Sequence, residues 1–110
     1  MSKRDINLLL NDILDACGKI ATYTSGMNYD SFIADNKTID AVVRNFEIIG
    51  EAANRIPEDY KLLHPEVEWR HIIGFRNRII HEYFGIDYEI LWQIIEENVS
   101  ELKEQIQLLV

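Results

Sequence analysis

A chain of 110 residues, 47% of them hydrophobic, suits one compact domain spanning 1–110 and is too short for two comfortable ones. Its single cysteine, Cys17, excludes an internal disulfide, and no stretch approaches the roughly 18 consecutive apolar residues of a membrane span. The net charge of −8 speaks against nonspecific attraction to nucleic acid, although residues 64–81 run the other way, with three basic and two acidic side chains and all three histidines.

Apolar residues recur at spacings of three and four, and two prolines and five glycines are few interruptions, so the fold class expected is all-α. Met1 to Asn7 are not followed by an uninterrupted apolar run like that of a signal peptide, which leaves a cytoplasmic protein as the expectation. The first helix should run from Lys3 to about Tyr23, with Ile6, Leu9, Leu10, Ile13, Ala16, Cys17 and Ile20 on its core stripe. Thr24-Ser25-Gly26 ends it, and Asn28 to Ser31 cap a short helical turn around Phe32 and Ile33.

A second long helix is expected from Asn36 or Lys37 to Arg55, its core stripe built on Ile39, Val42, Val43, Phe46, Ile49, Gly50 and Ala53. Asp40, Arg44, Glu47 and Glu51 share its other side, where Asp40–Arg44, Arg44–Glu47 and Glu51–Arg55 pairs would give a solvated, stabilised face. Gly50 stands out there, because a glycine in mid-helix costs about 1 kcal/mol against alanine and often marks close approach by another element. Pro57 to Leu63 reads as a helical spacer stopped by His64-Pro65.

A third main helix is expected from the region of Glu66 to Trp69 through to Tyr83, with Gly85 ending it. Asp87 should cap a last helix from Tyr88 to about Leu109, with Leu91, Ile94, Ile95, Val99, Leu102, Ile106 and Leu109 inward. Four main helices with short connections make an antiparallel bundle.

The chemistry concentrates in Arg76-Asn77-Arg78-Ile79-Ile80-His81-Glu82-Tyr83. It offers a permanent cation, an amide, an imidazole that exchanges protons near neutral pH, and a phenol. On a helix stepping about 100° per residue, Ile72, Ile73, Ile79, Ile80 and Tyr83 all fall within about 60° of Arg76. An arginine amid such a face must be paired, with Glu51 or Glu47 as candidates, or must line a cleft. Asn77 and His81 fall on an adjoining strip. The four polar groups span about 160°, too wide for one pocket on an isolated helix yet workable at the edge of a groove, whose other wall a second subunit could supply. An Arg and a His five apart form a weak signal alone, and the tyrosine by itself fits a core or interface aromatic equally well.

Arg76, His81 and Tyr83 resemble the R-x4-H-x-Y signature of HEPN proteins, specifically the HepT-like family. Ala41 to Ala53, Trp69 to Arg78 and Tyr83 to Asp87 resemble the blocks around that signature, and the similarity extends over most of residues 4–106. The resemblance implies a homodimer whose signature helices border a cleft, and a toxin that is an endoribonuclease working without a metal. On that reading Arg76 binds the scissile phosphate and His81 is general base or acid, supported by Asn77 and Glu51. It further implies that Tyr83 accepts AMP from a minimal nucleotidyltransferase, the antitoxin of the pair. No cofactor is expected, and the histidines and carboxylates show no metal-ligand spacing. The alternative is a noncatalytic helical module that uses Arg76 and Tyr83 only to recognise a nucleotide or the nucleotidyltransferase; the net charge favours it.

Overall fold

Ser2 opens the chain's first helix with a capping box, its hydroxyl accepting from the Asp5 amide while the Asp5 carboxylate accepts from its own. In the computed structural model, which describes residues 1–81 and 83–110, that helix is α1 (Lys3–Thr24). It buries Leu10, Ile13, Ala16, Cys17 and Ile20, the stripe that its periodicity predicts, while Ile6 and Leu9 pack at the margin. Asn28 and Ser31 form a second capping box on the short α2 (Tyr29–Ile33), which inserts Phe32 into the core.

Asp35 caps α3 (Asn36–Arg55), its carboxylate accepting from the Thr38 amide and hydroxyl; those bonds hold its carboxyl below the usual range. α3 is the spine of the molecule, with α1 along it on one side and α2 and the helical segments of residues 69–79 resting on it elsewhere. Of the pairs expected on its outer face, Arg44–Glu47 forms at 3.7 Å. Among the described residues, neither Asp40 with Arg44 nor Glu51 with Arg55 comes within ion-pair distance.

After α4 (Glu58–Leu63) the chain departs from its periodicity. The third helix is two short ones, α5 (Trp69–Ile73) and α6 (Phe75–Ile79), which break at Gly74. It stops at Ile79, not at Tyr83. Ile80 is already extended, and β1 (Ile80–His81) pairs antiparallel with β2 (Gly85–Ile86), matching Ile80 to Ile86 and His81 to Gly85. Glu82, inside the helix expected from sequence, lies outside the described residues.

The reason is local. Ile79-Ile80 is a β-branched run followed closely by two aromatics, Tyr83 and Phe84, and such a run suits a strand as well as a helix. Gly85 then takes φ +74°, a left-handed conformation cheap only for glycine, and the chain doubles back. Ile80 and Ile86 both pack against the core margin, so the hairpin is held by burial as well as by its backbone bonds.

Asp87 caps α7 (Tyr88–Glu97) as expected, accepting from the Ile90 amide at 3.1 Å. The last helix continues as α8 (Val99–Gln107) after a kink at Asn98, and α8 returns along α1. The fold is therefore all-α with one two-residue hairpin inserted, and among the described residues no helix is long and apolar enough to cross a membrane.

Two core features bear on the site. Phe75 is 1% exposed and meets Phe46 of α3 edge-on at 5.5 Å, which anchors α6; truncating such a side chain costs about 3–5 kcal/mol. Gly50 of α3 faces the end of α5, where a β-carbon would lie 3.6 Å from the Ile73 carbonyl oxygen. That is ordinary contact and accommodates one methyl group. Gly50→Ala should therefore raise the unfolding free energy by about 0.5–1 kcal/mol, while Gly50→Leu should lower it, as read from urea denaturation midpoints.

Candidate active site

Phe75 and Ile79, one turn apart, set the buried side of α6 and leave Arg76 and Asn77 facing outward. Arg76 is 57% exposed, and its Nε lies 3.9 Å from Oε1 of Glu47. It is thus a surface cation on the flank of the apolar face. The helical wheel gave too much weight to Ile73 and Ile80, which are only half-buried, and so placed the centre of burial too close to Arg76. Its carboxylate partner is Glu47, which also holds Arg44. Glu51, one turn further along α3, is exposed.

His81 and Tyr83 lie beyond α6, so the strips drawn for a continuous helix do not describe them. His81 sits in β1, 45% exposed, with its Nε2 3.3 Å from Oδ2 of Asp87. Tyr83 and Phe84 occupy the hairpin turn at 86% and 89% exposure. Below them Tyr29, His81, Asp87, Tyr88 and Glu89 line a shallow hollow of about 340 Å³. Desolvation pushes the Tyr29 phenol up there, and the carboxylates of Glu89, Asp30 and Asp87 add to it.

The three histidines have different settings. His64 lies beside Glu66 at 3.3 Å and against the Tyr60 ring. His71 Nε2 lies 2.7 Å from Nη1 of Arg78, and because a guanidinium can only donate, His71 accepts and carries its proton on Nδ1. Arg78 and His71 border a larger cleft of about 910 Å³ with Arg70, Trp69, Gly74 and Lys61, whose lining includes neither Arg76 nor His81. Lys61 is 93% buried by its stem, with Glu58 3.7 Å from its ammonium. Glu58 and Glu68 also line that cleft, yet its cations and His71 make it the local exception in an acidic molecule. Among the described residues no three His, Cys, Asp or Glu side chains converge as a metal-ligand set.

Sequence reasoning used Asp87 only as a helix cap and gave His71 and Arg78 no partner. The contact between Asp87 and His81 could be read only by seeing Ile80-His81 and Gly85-Ile86 as the arms of a hairpin. His71 and Arg78, seven residues apart, share a face of a continuous helix but lie two turns apart on it, so spacing gives the shared face and the break at Gly74 goes with the contact.

The family described as Ribonuclease HepT-like matches residues 13–109. The chain belongs to that family. Among its HepT-like relatives, a Thermococcus cleftensis protein named probable ribonuclease HepT is 43% identical over 101 residues, covering 92% of each chain. A Methanocaldococcus jannaschii protein provisionally named an RNase is 41% identical over 108 residues, covering 98% of this chain and 99% of the relative. A third, from Caldanaerobacter subterraneus and named in the same way, is 37% identical over 98 residues, covering 89% of this chain and 88% of its own length. No solved structure matches the chain significantly.

Because Arg76 and Glu47 are both substantially exposed at a 3.9 Å separation, their pairing contributes little to the HepT-like fold. Arg76→Ala and Glu47→Ala should each shift the unfolding free energy by less than about 1 kcal/mol in urea titrations. Functional losses in these variants would then not be folding losses.

Proposed function

We propose that this HepT-like chain is an endoribonuclease that cleaves RNA without a metal, with Arg76 and His81 as its catalytic residues. The observation that carries the reading is the exposure of both signature side chains at the junction of α6 and the hairpin, where, among the described residues, each faces solvent with one long contact to a carboxylate. A phosphate arriving at Arg76 replaces Glu47 as the partner of the guanidinium, a fork suited to two phosphate oxygens. His81 takes the proton of the adjacent ribose 2'-hydroxyl as its oxygen attacks phosphorus. The bond from phosphorus to the 5'-oxygen breaks, that oxygen takes up a proton, and a 2',3'-cyclic phosphate and a 5'-hydroxyl end remain. Arg76 offsets the charge that builds on the phosphoryl oxygens, and Asn77, beside it on α6, orients the phosphate.

One chain offers one such histidine, whereas acid and base catalysis together use two. A homodimer supplies the second imidazole and the missing wall. The aromatic side chains exposed on the hairpin, Tyr83 and Phe84, support such a second copy. The cleft carrying Lys61, Arg70 and Arg78 supports a path for the strand's backbone through an otherwise acidic protein.

The exposed phenol of Tyr83 suits the role of switch. Its oxygen attacks the α-phosphate of ATP held by a minimal nucleotidyltransferase, pyrophosphate leaves, and the AMP now on the hairpin blocks the approach to His81. The pair then works as toxin and antitoxin. A noncatalytic module that only recognises a nucleotide or that partner is the second reading, favoured by the net charge of −8.

Purified, unmodified protein should cut cellular RNA in the presence of a chelator and leave cyclic phosphate ends. His81→Ala and Arg76→Ala should each slow cleavage by about 10²-fold or more while keeping the native melting curve. Intact RNA in chelator would remove the ribonuclease reading and leave the recognition module. Coexpression with a minimal nucleotidyltransferase of the proposed kind should add the mass of one or more AMP units to the wild-type chain and none to Tyr83→Phe.

A further inference from the structure

Besides the helical bond that its carbonyl accepts from the Leu91 amide, Asp87 makes three directed contacts at one point of the fold. Its backbone N–H donates to the Ile79 carbonyl at 2.7 Å, closing the base of the hairpin on the end of α6. Its Oδ1 accepts from the Ile90 amide at 3.1 Å as the cap of α7. Its Oδ2 faces Nε2 of His81 at 3.3 Å. Each carboxylate oxygen therefore has its own task, and a backbone bond fixes the residue that carries both.

An ionised carboxylate only accepts, so Nε2 of His81 must be the donor in that contact. A neutral imidazole has one N–H, and with the proton on Nε2 the basic lone pair is on Nδ1. We propose that Asp87 is a positioning residue that holds His81 in the Nε2–H form, so that Nδ1 is the atom that exchanges protons with the RNA. The kinetic part of this proposal rests on the ribonuclease reading, whereas the tautomer assignment stands without it. The separation is at the long end for such a bond, a common state for catalytic contacts before substrate excludes water. Tyr29, Tyr88 and Glu89 line the same hollow, and among these described residues Asp87 is the one within hydrogen-bond distance of the imidazole.

Substituting Asp87 separates its tasks. Asparagine caps helices as well as aspartate does, and the cap requires its one side-chain oxygen to face the Ile90 amide. Its amide NH₂ is then left facing His81. The contact reverses direction, Nε2 must accept, and the proton moves to Nδ1. Serine keeps the cap and is too short to span to the imidazole, which removes the contact without reversing it.

The experiment is nitrogen-15 NMR of His-labelled protein with its imidazoles neutral, together with steady-state RNA cleavage by the same samples. In the wild type His81 should be mainly the Nε2–H form, in Asp87→Asn mainly the Nδ1–H form, and in Asp87→Ser a mixture. Melting curves should stay close to wild type in both variants. Cleavage by Asp87→Asn should fall on the order of 10- to 100-fold in kcat with KM within about twofold, and Asp87→Ser should fall less. A wild-type His81 in the Nδ1–H form, or a tautomer unmoved by Asp87→Asn, overturns the proposal whatever the activity. Full-rate cleavage by Asp87→Asn overturns its kinetic part and leaves the ribonuclease reading intact. A wild type that cleaves no RNA removes that reading, while the NMR result still decides the tautomer.

Discussion

The bond from the Asp87 amide to the Ile79 carbonyl, 2.7 Å long, is the constraint on which the functional end of the molecule depends. It lets α6 end after five residues and lets α7 begin nine residues further on, with His81 and Tyr83 between them held in a hairpin instead of along a helix. Ile80 and Ile86 bury the hairpin's inner side, and Gly85 at φ +74° makes the return possible. His81, Tyr83 and Phe84 are presented to solvent because those three inner features hold. The separation of tasks is economical: Phe75 and Ile79 lock α6 into the core while Arg76, between them in sequence, stays outside.

Much of the fold was legible because long amphipathic helices repeat their signal. α1 and α3 follow their stripes to within a residue, and the caps at Asn28 and Asp87 come where polar side chains precede an apolar period. The region after Pro65 was not legible in the same way. Ile72, Ile73, Ile79 and Ile80 satisfy a helical period as well as the true arrangement does, since a short β-branched run carries no information about which of two structures tertiary contacts will choose. Gly74 and Gly85 were the available clues. The spacing that makes Gly85 a helix stop fits the hinge of a hairpin equally well, and Gly74, which divides two helices, lies inside the apolar period without interrupting it.

The same error moved the site. A continuous helix puts Tyr83 beside Arg76 and Asn77 beside His81, and neither pairing describes a chain that leaves the helix at Ile79. The residue types survived this because a signature records identity and spacing, not conformation. What spacing did not carry is the environment of each group. Glu47 rather than Glu51 holds Arg76, and the partner of His81 is Asp87, six residues on across a turn. A positive cleft fed by Arg70, His71 and Arg78 does emerge from the locally basic segment, on a lining distinct from that of the His81 hollow.

Arg76 and His81 thus occupy separate surroundings within one chain, and the proposed cleft gathers them around a strand of RNA with a second copy as its other wall. The most direct measurement is a crystal structure of the protein with an RNA oligonucleotide whose 2'-hydroxyls are replaced by fluorine, which blocks cleavage. The account predicts a phosphate on Arg76 in place of Glu47, Nδ1 of His81 turned toward the 2'-position of the adjoining sugar, and a second chain across the strand. A strand bound elsewhere, with Arg76 still on Glu47 and His81 facing only solvent and Asp87, would contradict it.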